Sequence, residues 1–387
     1  MSTLSIALAG LCLAIWIVLT FFRGAFWQLR QFDDDLVARV PPRIWPRIAV
    51  ILPARNEAEA IARTLEALGA QEYAGELRIF VVDDHSEDQT AAEAQRVAHA
   101  RGLSDRVTIL QAAALQPGWT GKLWAMQQGI EASAAFAPDY FWFTDADIVH
   151  APDTLGRLVA RAENEARDLV SLMVLLQAKT LPERLLIPPF LYFFLKLYPP
   201  RWTAQPKART AGAAGGCVLL RLNALERIGG LSAIRSEVID DCSLARAVKR
   251  TGGAIWMGLT RKSVSLRAYD SFAEMRDLIA RTAFTQLEYS PLLLFGTILG
   301  MFLTYILPVV LVFQPEPLVW RVSFVAWALM MVTYLPTVRF YKLSALWALT
   351  LPVAAAFYSY ATGLSAVRYW LGRGGQWKGR AQAPAKP

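Results

Sequence analysis

The sequence predicts an α/β domain with a mostly parallel sheet flanked by helices, joined to apolar helices at both ends of the chain. Two observations predict this architecture. Short apolar runs alternate with amphipathic stretches through the middle of the 387-residue chain, which is the pattern of strands and covering helices in a parallel sheet. Hydrophobic residues make up 55% of the composition, and the longest uncharged stretches lie near the two termini, as membrane helices require.

The first apolar segment, residues 4–22, carries no charge and is long enough to cross a bilayer. A secretory signal peptide is the alternative, but such a peptide begins with basic residues and ends with small ones at a cleavage site. No Lys or Arg precedes the segment, and Phe21 and Phe22 close it. We therefore expect a retained anchor over residues 1–23.

A C-terminal membrane region is predicted over residues 291–370. It contains three apolar segments, at about 291–313, 318–337 and 343–367. The tail, residues 371–387, is basic. Three full crossings would place that tail outside the cell, against the rule that basic loops stay inside, so the side of the tail stays open at this point.

The net charge of +8 is concentrated beside the apolar segments. This placement argues against a nucleic-acid-binding protein, which would carry a continuous basic stripe. Because basic residues follow the anchor, the positive-inside rule predicts that residues 23–290 face the cytoplasm. The arginines concerned are Arg23, Arg30, Arg39, Arg43 and Arg47. The three cysteines form no CxxC pair, so neither a zinc site nor a disulfide framework is indicated.

The strands and helices of the middle region follow from its apolar periodicity. Predicted strands are residues 48–52, 77–82, 106–110, 139–144 and 168–176. Predicted helices cover residues 57–70 and 121–133 and begin near Asp88 and Pro152. Ligands of such sheets bind beyond the carboxyl ends of the strands.

Acidic residues follow three of the predicted strands, in the stretches PARNE (53–57), DDHS (83–86) and TDAD (144–147). An Asp after a strand often only caps the next helix, and this explanation suits Asp88 and Asp153. It does not explain the spacing of Asp145 and Asp147, which allows both to reach one site. Two carboxylates with open coordination positions suit Mg²⁺ or Mn²⁺ bridging a diphosphate.

Lys122 opens the helix predicted after the third strand, in the stretch GWTGK. A helix N-terminus and a lysine together are able to hold phosphate oxygens. The spacing is not that of a Walker motif. The alternative is an ordinary helix start with a solvated lysine.

Farther along the chain, the glycine-rich stretch 212–216 precedes the apolar run CVLLR, and glycines there allow the backbone to approach a ligand closely. Asp240 and Asp241 then lead into a basic amphipathic helix. Either aspartate is suited to deprotonate an acceptor hydroxyl. Capping of the helix is the alternative role.

The order of these motifs, PARNE, VVDDHS, GK, DAD, a glycine-rich strand entry and DDxxL, resembles the family 2 glycosyltransferases, which share the GT-A fold. The resemblance covers residues 45–290. It implies that Ala54, Arg55 and Glu57 line a nucleotide pocket and that Asp84 contacts the base; Lys122 joins this set as the phosphate-binding residue inferred from the helix start.

The same resemblance assigns roles to the remaining acidic residues. It implies that Asp145 faces the ribose or the metal, that Asp147 is a metal ligand, and that Asp241 is the catalytic base. Asp240 stands where the family usually has Glu. Inversion at the anomeric carbon is implied by the family and fits a single base candidate with no second carboxylate poised as a nucleophile.

Two further stretches refine the resemblance. Residues 281–286 (RTAFTQ) lack the Q-x-x-R-W motif of processive polymer synthases, and the tail GGQWKGR (374–380) resembles the W-x-G-R ending of lipid-modifying members. The chain is most similar to the bacterial hopene-associated glycosyltransferases. This similarity implies a protein of the bacterial inner membrane that moves a sugar from a nucleotide-diphosphate donor to a lipid acceptor related to hopanoids.

The segment 185–198 (LLIPPFLYFFLKLY) is apolar but too short to span a bilayer, and Pro188 and Pro189 are expected to break a continuous helix there. We expect its aromatic residues to meet the membrane surface, where aromatic residues are enriched. A buried core element is the alternative. The predicted acceptor and membrane contacts are Phe190, Phe193, Phe194, Trp377 and Arg380.

Alternative functions remain at this stage. Within the same class they are a polyprenyl-phosphate sugar synthase and a short-polysaccharide synthase. Outside it they are a membrane nucleotidyltransferase, which would release pyrophosphate, and a non-catalytic membrane scaffold with a degenerate transferase domain. The complete acidic set at positions 84, 145, 147 and 241 argues against the scaffold.

Overall fold

The computed structural model describes residues 2–372, 376–377 and 380–381, with side chains described over residues 3–372. It divides into two compact units. The sheet unit contains residues 31–177 and 202–267, and the helical unit contains residues 2–30, 178–201 and 268–372. Residues 376–377 and 380–381 form a short antiparallel pair of strands, β9 (Gln376–Trp377) and β10 (Arg380–Ala381). Thus residues 178–201 and 268–290, which were expected in the transferase domain, pack with the terminal helices.

The sheet unit has the predicted alternation of strands and helices. Its strands are β1 (Ile48–Ala54), β2 (Leu77–Asp83), β3 (Val107–Gln111), β4 (Tyr140–Phe143), β5 (Ile148–Val149), β6 (Leu169–Leu175), β7 (Val218–Arg221) and β8 (Ile255–Ser265). Its helices are α2 (Leu36–Arg39), α3 (Ile61–Gly69), α4 (Thr90–Ala100), α5 (Gly121–Ala132), α6 (Thr154–Asn164), α9 (Leu222–Arg227) and α10 (Asp240–Arg250). The five predicted strands coincide with β1, β2, β3, β4 and β6.

In the described part of the chain, eight strands form one sheet in the order β3-β2-β1-β4-β7-β6-β8-β5. The pairs β3–β2, β2–β1, β1–β4 and β6–β8 are parallel. Strand β7 is antiparallel to both of its neighbours, and β5 is antiparallel to β8. The sheet is therefore mixed, with parallel pairs in the majority, because β7 and β5 run against the others.

Both faces of the sheet are covered. Along β1, whose seven residues are all buried, Val50 and Leu52 pack into one hydrophobic cluster and Ala49 and Ile51 into another. Because successive side chains of a strand point to opposite faces, the two clusters lie on opposite sides of the sheet. A continuous apolar strand that is buried on both faces is what a central parallel strand requires.

The helical unit is built mainly from α-helices. They are α1 (Ser2–Ile17), α7 (Leu181–Leu197), α11 (Phe272–Gln286), α12 (Pro291–Met301), α13 (Leu307–Val312), α14 (Pro317–Phe340) and α15 (Leu351–Trp370). The short helix α8 (Pro200–Thr203) lies where the chain passes from this unit to the sheet unit. Within the described residues, four helical stretches are long and apolar enough to cross a membrane: Thr3–Phe22, Pro291–Val312, Pro317–Phe340 and Ala345–Trp370.

Helix α7 corrects one prediction, because it continues through Pro188 and Pro189. Its start is fixed by a reciprocal cap in which Thr180 and Glu183 each accept a backbone N–H of the other residue. A proline inside a helix costs about 3 kcal/mol. Burial of the apolar side chains that surround the two prolines, among them Leu186, Ile187 and Leu191, offsets this cost.

The aromatic residues of α7 differ in their surroundings. Phe193 is 8% exposed and its ring lies 5.4 Å from that of Tyr305 and 5.0 Å from that of Tyr358. The expectation that Phe193 meets a lipid surface is therefore wrong, because the side chain packs inside the helical unit. Phe190 and Phe194 are half-buried. The side chains of Trp377 and Arg380, the other two predicted contacts, lie outside the described residues.

Candidate active site

A pocket lies at the carboxyl end of β4 in the sheet unit. Lys122, Thr144, Asp145, Gly215, Asp240 and Asp241 line it, together with the apolar side chains of Pro53, Leu123, Met126, Phe143, Val218, Ile234 and Leu244. Three separate parts of the sequence therefore meet here, namely Asp145 of the DAD stretch after β4, Gly215 of the glycine-rich stretch before β7 and the two aspartates that begin α10.

Lys122 pairs with carboxylates from two different parts of this pocket. Its Nζ lies 2.8 Å from Asp145 Oδ1 and 3.1 Å from Asp240 Oδ2. The lysine stands in the first turn of α5, whose N-cap Thr120 accepts a hydrogen bond from the backbone N–H of Leu123. Burial alone would lower the pKa of Lys122, but the carboxylates of Asp145 and Asp240 outweigh it and raise that pKa above its ordinary value. Lys122 is thus a fixed cation, and the alternative of a solvated lysine is wrong.

Asp241 is held by two backbone donors. Its Oδ2 accepts the N–H of Gly215 at 2.8 Å and its Oδ1 accepts the N–H of Cys242 at 2.7 Å. Burial, followed by the negative charge of Asp240, raises the pKa of Asp241 to about 6, although Lys122 and the two backbone donors act in the opposite direction. At neutral pH the carboxylate is mostly ionised and still basic enough to take a proton.

The capping alternative for this aspartate pair is not what the structure shows. The N-cap of α10 is Ile239, without a side-chain cap, and both aspartates stand in the first helical turn. Their negative charges suit the positive end of the helix. Their side chains face Lys122 and Gly215, so they also belong to the pocket.

Gly215 makes this close approach possible. A Cβ at this position would lie 3.3 Å from Lys122 Nζ and 3.4 Å from Asp241 Oδ2, which is tight for a carbon against two polar atoms. The absence of a side chain brings the backbone N–H within hydrogen-bond distance of the carboxylate. The predicted close approach of this backbone to a ligand stays a prediction.

The DAD stretch is fixed through its backbone. The carbonyl of Ala146 accepts from Thr64 Oγ1 at 2.8 Å, and the carbonyl of Asp147 accepts from the N–H of Leu266 at 2.7 Å. These contacts hold the chain that carries the carboxylates of Asp145 and Asp147, which are both partly exposed. A backbone held by such hydrogen bonds suits the cation site that the sequence predicts.

The sequence analysis did not identify His150, whose ring supports Thr144, the residue that precedes the DAD stretch. Its Nε2 lies 2.8 Å from Thr144 Oγ1 and its Nδ1 lies 2.8 Å from Ser263 Oγ, and Thr144 Oγ1 also donates to the carbonyl of Gly216. Burial lowers the pKa of His150 to about 3, so the ring is neutral. The only available signal was its position six residues after Thr144, which by itself does not distinguish a brace from a ligand.

The residues assigned to a nucleotide pocket lie at the ends of β1 and β2. Arg55 donates to the carbonyls of Asp84 at 2.5 Å and His85 at 3.1 Å, and so ties the two strand ends together. Ala54 and Asp84 are buried, with 1% and 0% exposure. The carboxylate of Glu57 lies 4.0 Å from the guanidinium of Arg267. The roles of these residues toward a nucleotide stay predictions.

The two capping predictions have different outcomes. Asp88 accepts the N–H of Thr90 at 3.0 Å and that of Ala58 at 3.1 Å, so it supports the start of α4 although Gln89 is the N-cap residue. Asp153 is the N-cap residue of α6 but makes no side-chain cap. It pairs instead with Lys262 at 2.8 Å.

A divalent cation fits these residues only with help from a substrate. Within the residues whose side chains are described, no group of three or more His, Cys, Asp and Glu side chains is arranged to hold a metal. Mg²⁺ is usually bound through one or two carboxylates, with water and substrate phosphates as the other ligands. The pair Asp145 and Asp147 satisfies that smaller requirement.

Comparison with known proteins agrees with the motifs. Residues 49–229 match the family model described as Glycosyl transferase family 2, the family that the motifs resemble. The matched segment contains the PARNE, DDHS, GK and DAD stretches and the glycine-rich stretch. Asp240 and Asp241 lie beyond it.

Curated relatives match over shorter segments. An N-acetylglucosaminyltransferase of Rhizobium leguminosarum bv. viciae is 34% identical over 122 residues, which are 31% of this chain and 26% of the relative. One of Rhizobium leguminosarum bv. phaseoli is 32% identical over 176 residues, which are 45% of this chain and 36% of the relative. The chain thus spans only about a quarter to a third of the length of these relatives.

A solved structure matches nearly the whole chain. The mannosyltransferase PcManGT from Pyrobaculum calidifontis, in complex with GDP-Man and Mn²⁺, aligns over 93% of this chain and 99% of its own, with a TM-score of 0.56 and 20% identity. At this identity the likeness concerns the fold. It confirms the predicted Rossmann-like GT-A fold with a mostly parallel sheet and flanking helices.

Proposed function

We propose that this chain is a membrane-bound, inverting glycosyltransferase that moves a sugar from a nucleotide-diphosphate donor to a lipid acceptor. The observation that carries the proposal is the pocket in which Lys122, Asp145, Asp240 and Asp241 meet within a sheet unit matching glycosyl transferase family 2. The pocket combines the cation Lys122 with a carboxylate on one side, Asp145, and an aspartate pair on the other. This combination suits a reaction in which an anionic group leaves and the acceptor loses a proton.

In the proposed reaction, Asp241 takes the proton of the acceptor hydroxyl as the oxygen attacks the anomeric carbon. The bond between that carbon and the diphosphate oxygen breaks, and the nucleoside diphosphate leaves with the electron pair. Attack from the face opposite the leaving group inverts the configuration. The backbone N–H groups of Gly215 and Cys242 keep the Asp241 carboxylate in place.

The leaving diphosphate needs positive charge. Lys122 supplies one positive charge in the first turn of α5, and the N-terminus of this helix also favours anions. Asp145 and Asp147 would hold Mg²⁺ or Mn²⁺, which when bound neutralises the developing negative charge. Arg55, Glu57 and Asp84 at the ends of β1 and β2 are proposed to shape the nucleotide site.

The lipid acceptor and the membrane setting rest on the helical unit. In the four long apolar helices only 22–33% of the most apolar 18-residue stretch is buried. Side chains such as Phe22, Leu292 and Phe313 are at least 70% exposed. Apolar surface of this extent needs a cover other than water. A bilayer provides it, and a lipid hydroxyl would then be available in the same compartment as the enzyme.

The relatives are named N-acetylglucosaminyltransferases, so the first donor to test is N-acetylglucosamine on a nucleoside diphosphate. A hopanoid-type lipid is the acceptor suggested by the resemblance described for the motifs. A polyprenyl phosphate is the second acceptor class to test, because it would give a phospho-lipid sugar by the same displacement.

The test is a donor and acceptor screen on purified full-length protein in lipid, with Mg²⁺ or Mn²⁺. We expect one nucleotide sugar to be consumed with release of its nucleoside diphosphate and formation of a monoglycosylated lipid. Asp147→Asn should remove this activity, because an amide lacks the anionic oxygen that a hard cation prefers. Release of pyrophosphate would instead indicate a nucleotidyltransferase, and wild-type turnover of Asp147→Asn at limiting metal would exclude the metal role.

A further inference from the structure

Lys122 occupies the position at which the two halves of the pocket meet. On one side it forms an ion pair with Asp145, a proposed cation ligand, at 2.8 Å. On the other side it forms an ion pair with Asp240, the neighbour of the proposed base, at 3.1 Å. The side chain of Lys122 is 16% exposed, against 36% for Asp145 and 19% for Asp240. The pair of Lys122 with Asp240 is therefore largely shielded from water, whereas Asp145 is partly exposed and its pair with Lys122 is screened more by solvent.

An acidic pocket of this kind needs a counter-ion even without ligands. Asp145, Asp240 and Asp241 would otherwise repel one another in a partly dehydrated space. Lys122 supplies that charge. Gly215 leaves room for it, since even a Cβ there would come within 3.3 Å of the ammonium nitrogen.

The same arrangement opposes the entry of a free divalent cation. A metal bound to Asp145 would have to displace the ammonium or share its carboxylate at close range, with two like-charged cations side by side. The described side chains also offer no group of three or more potential ligands. A diphosphate removes both obstacles, the shortage of ligands and the repulsion between the metal and the ammonium. It brings further oxygen ligands, and its negative charge is enough to balance both cations.

We infer that Lys122 is the resident counter-ion of the acidic pocket, and that it makes the divalent cation enter together with the donor diphosphate rather than before it. This inference rests on the proposed function. To the proposed function it adds an order in which the cation and the donor bind. On donor binding the ammonium exchanges its carboxylate partners for the diphosphate, and the lysine thereby links occupation of the donor site to the electrostatics around the base.

The experiment is a titration of full-length protein with Mn²⁺, in which electron paramagnetic resonance measures the free ion, with and without a nucleoside diphosphate. Uridine and guanosine diphosphate are the probes. We expect the wild type to bind Mn²⁺ weakly alone and at least about tenfold more tightly with one of the diphosphates. Lys122→Met should bind Mn²⁺ without nucleotide at least about tenfold more tightly than the wild type, since a nearby like charge has been removed.

Two controls define the origin of the effect. Lys122→Arg keeps the charge and should resemble the wild type in the absence of nucleotide. Lys262→Met removes another lysine that is paired with an aspartate, Asp153, at 2.8 Å, and should leave Mn²⁺ binding unchanged. If Lys122→Met does not fold, as judged by circular dichroism, Lys122→Gln takes its place.

The outcomes separate this inference from the proposed function. If Lys122→Met binds Mn²⁺ no more tightly than the wild type while diphosphate-dependent binding persists and is lost in Asp145→Asn, the inference is overturned and the proposed function stands. If no protein binds Mn²⁺ with either diphosphate although a nucleotide sugar is consumed in the donor screen, the inference is overturned and only the metal role in the proposed function fails. If no protein binds Mn²⁺ and no nucleotide sugar is consumed, both fail.

Discussion

Asp241 owes its proposed reactivity to neighbours as much as to its own chemistry. Two backbone donors orient its carboxylate, and burial with Asp240 raises its pKa to about 6. We predict that Asp241→Asn lowers turnover by about 10²–10⁴-fold, the usual contribution of a general base, while donor affinity stays close to that of the wild type. Initial rates and donor binding by calorimetry measure the two quantities.

Asp240→Asn is the matched control for this prediction. Asp240 neighbours the proposed base but is paired with Lys122 at 3.1 Å, so we expect the smaller loss of turnover from this change. A larger loss than that of Asp241→Asn would transfer the role of base to Asp240. Loss of donor affinity in Asp241→Asn would place Asp241 in the nucleotide site instead.

The pH dependence of the reaction follows from the same carboxylate. The folded-state pKa of Asp241 is raised to about 6, and only the ionised form accepts a proton. We therefore predict that kcat/KM is constant above that value and falls by about tenfold per pH unit below it. A profile measured between about pH 5 and 8 tests this, with stability followed at each pH. A profile that stays flat to the acid limit would show that the ionisation of Asp241 does not control the rate.

At the scale of elements, the strands were predictable because their sequence pattern is local. The apolar runs that became β1, β2, β3, β4 and β6 are short, rich in branched and aromatic residues, and bounded by polar stretches. Strand β8 was not predicted, since its apolar run is interrupted by Arg261 and Lys262, which are exposed. The reversed direction of β7 was also not predictable, because strand direction depends on long-range pairing.

The site was predictable to a similar degree. The spacing of Asp145 and Asp147 and the position of Asp241 indicated which residues carry charge at strand and helix ends. Sequence did not reveal that Lys122 pairs with carboxylates from two separate stretches, because that depends on how α5 and α10 pack in the sheet unit. The brace formed by His150 and Ser263 likewise joins residues 113 positions apart.

Helix α7 gives a prediction at this scale. Phe190 and Phe194 are half-buried, whereas Phe193 lies in the core of the helical unit. We predict that replacing Phe190 and Phe194 by Ser weakens liposome binding and use of a lipid acceptor but preserves donor hydrolysis. Aromatic side chains at a membrane interface lose favourable contacts when replaced by a small polar residue. Transfer assays with lipid and with water as acceptor distinguish the two effects.

Phe193→Ser is the control for that experiment. Truncation of a buried Phe typically costs about 3–5 kcal/mol, so this variant should lose stability, as seen in a lower melting temperature. Unchanged lipid transfer in the double variant would remove α7 from the acceptor route. Unfolding of the double variant would assign Phe190 and Phe194 to the core as well.

At the scale of the whole molecule, the proposed membrane setting predicts on which side of the bilayer the sheet unit lies. Nucleotide sugars are made in the cytoplasm, and five arginines follow the first apolar helix between Arg23 and Arg47. Cationic residues beside a span are retained on the cytoplasmic side. We predict that the sheet unit faces the cytoplasm and that the short connection between Val312 and Pro317 faces outward.

Single cysteines introduced at exposed positions test this orientation in intact cells. Ser104→Cys and Ala132→Cys lie in the sheet unit and should be protected from a membrane-impermeant thiol reagent, whereas Gln314→Cys should react. The native cysteines Cys12, Cys217 and Cys242 are buried, so their background should be low. Because all three introduced thiols are at exposed positions, a difference among them reports the membrane side. Labelling of Ser104→Cys from outside would reverse the predicted topology, and the proposed use of a cytoplasmic donor would fail with it.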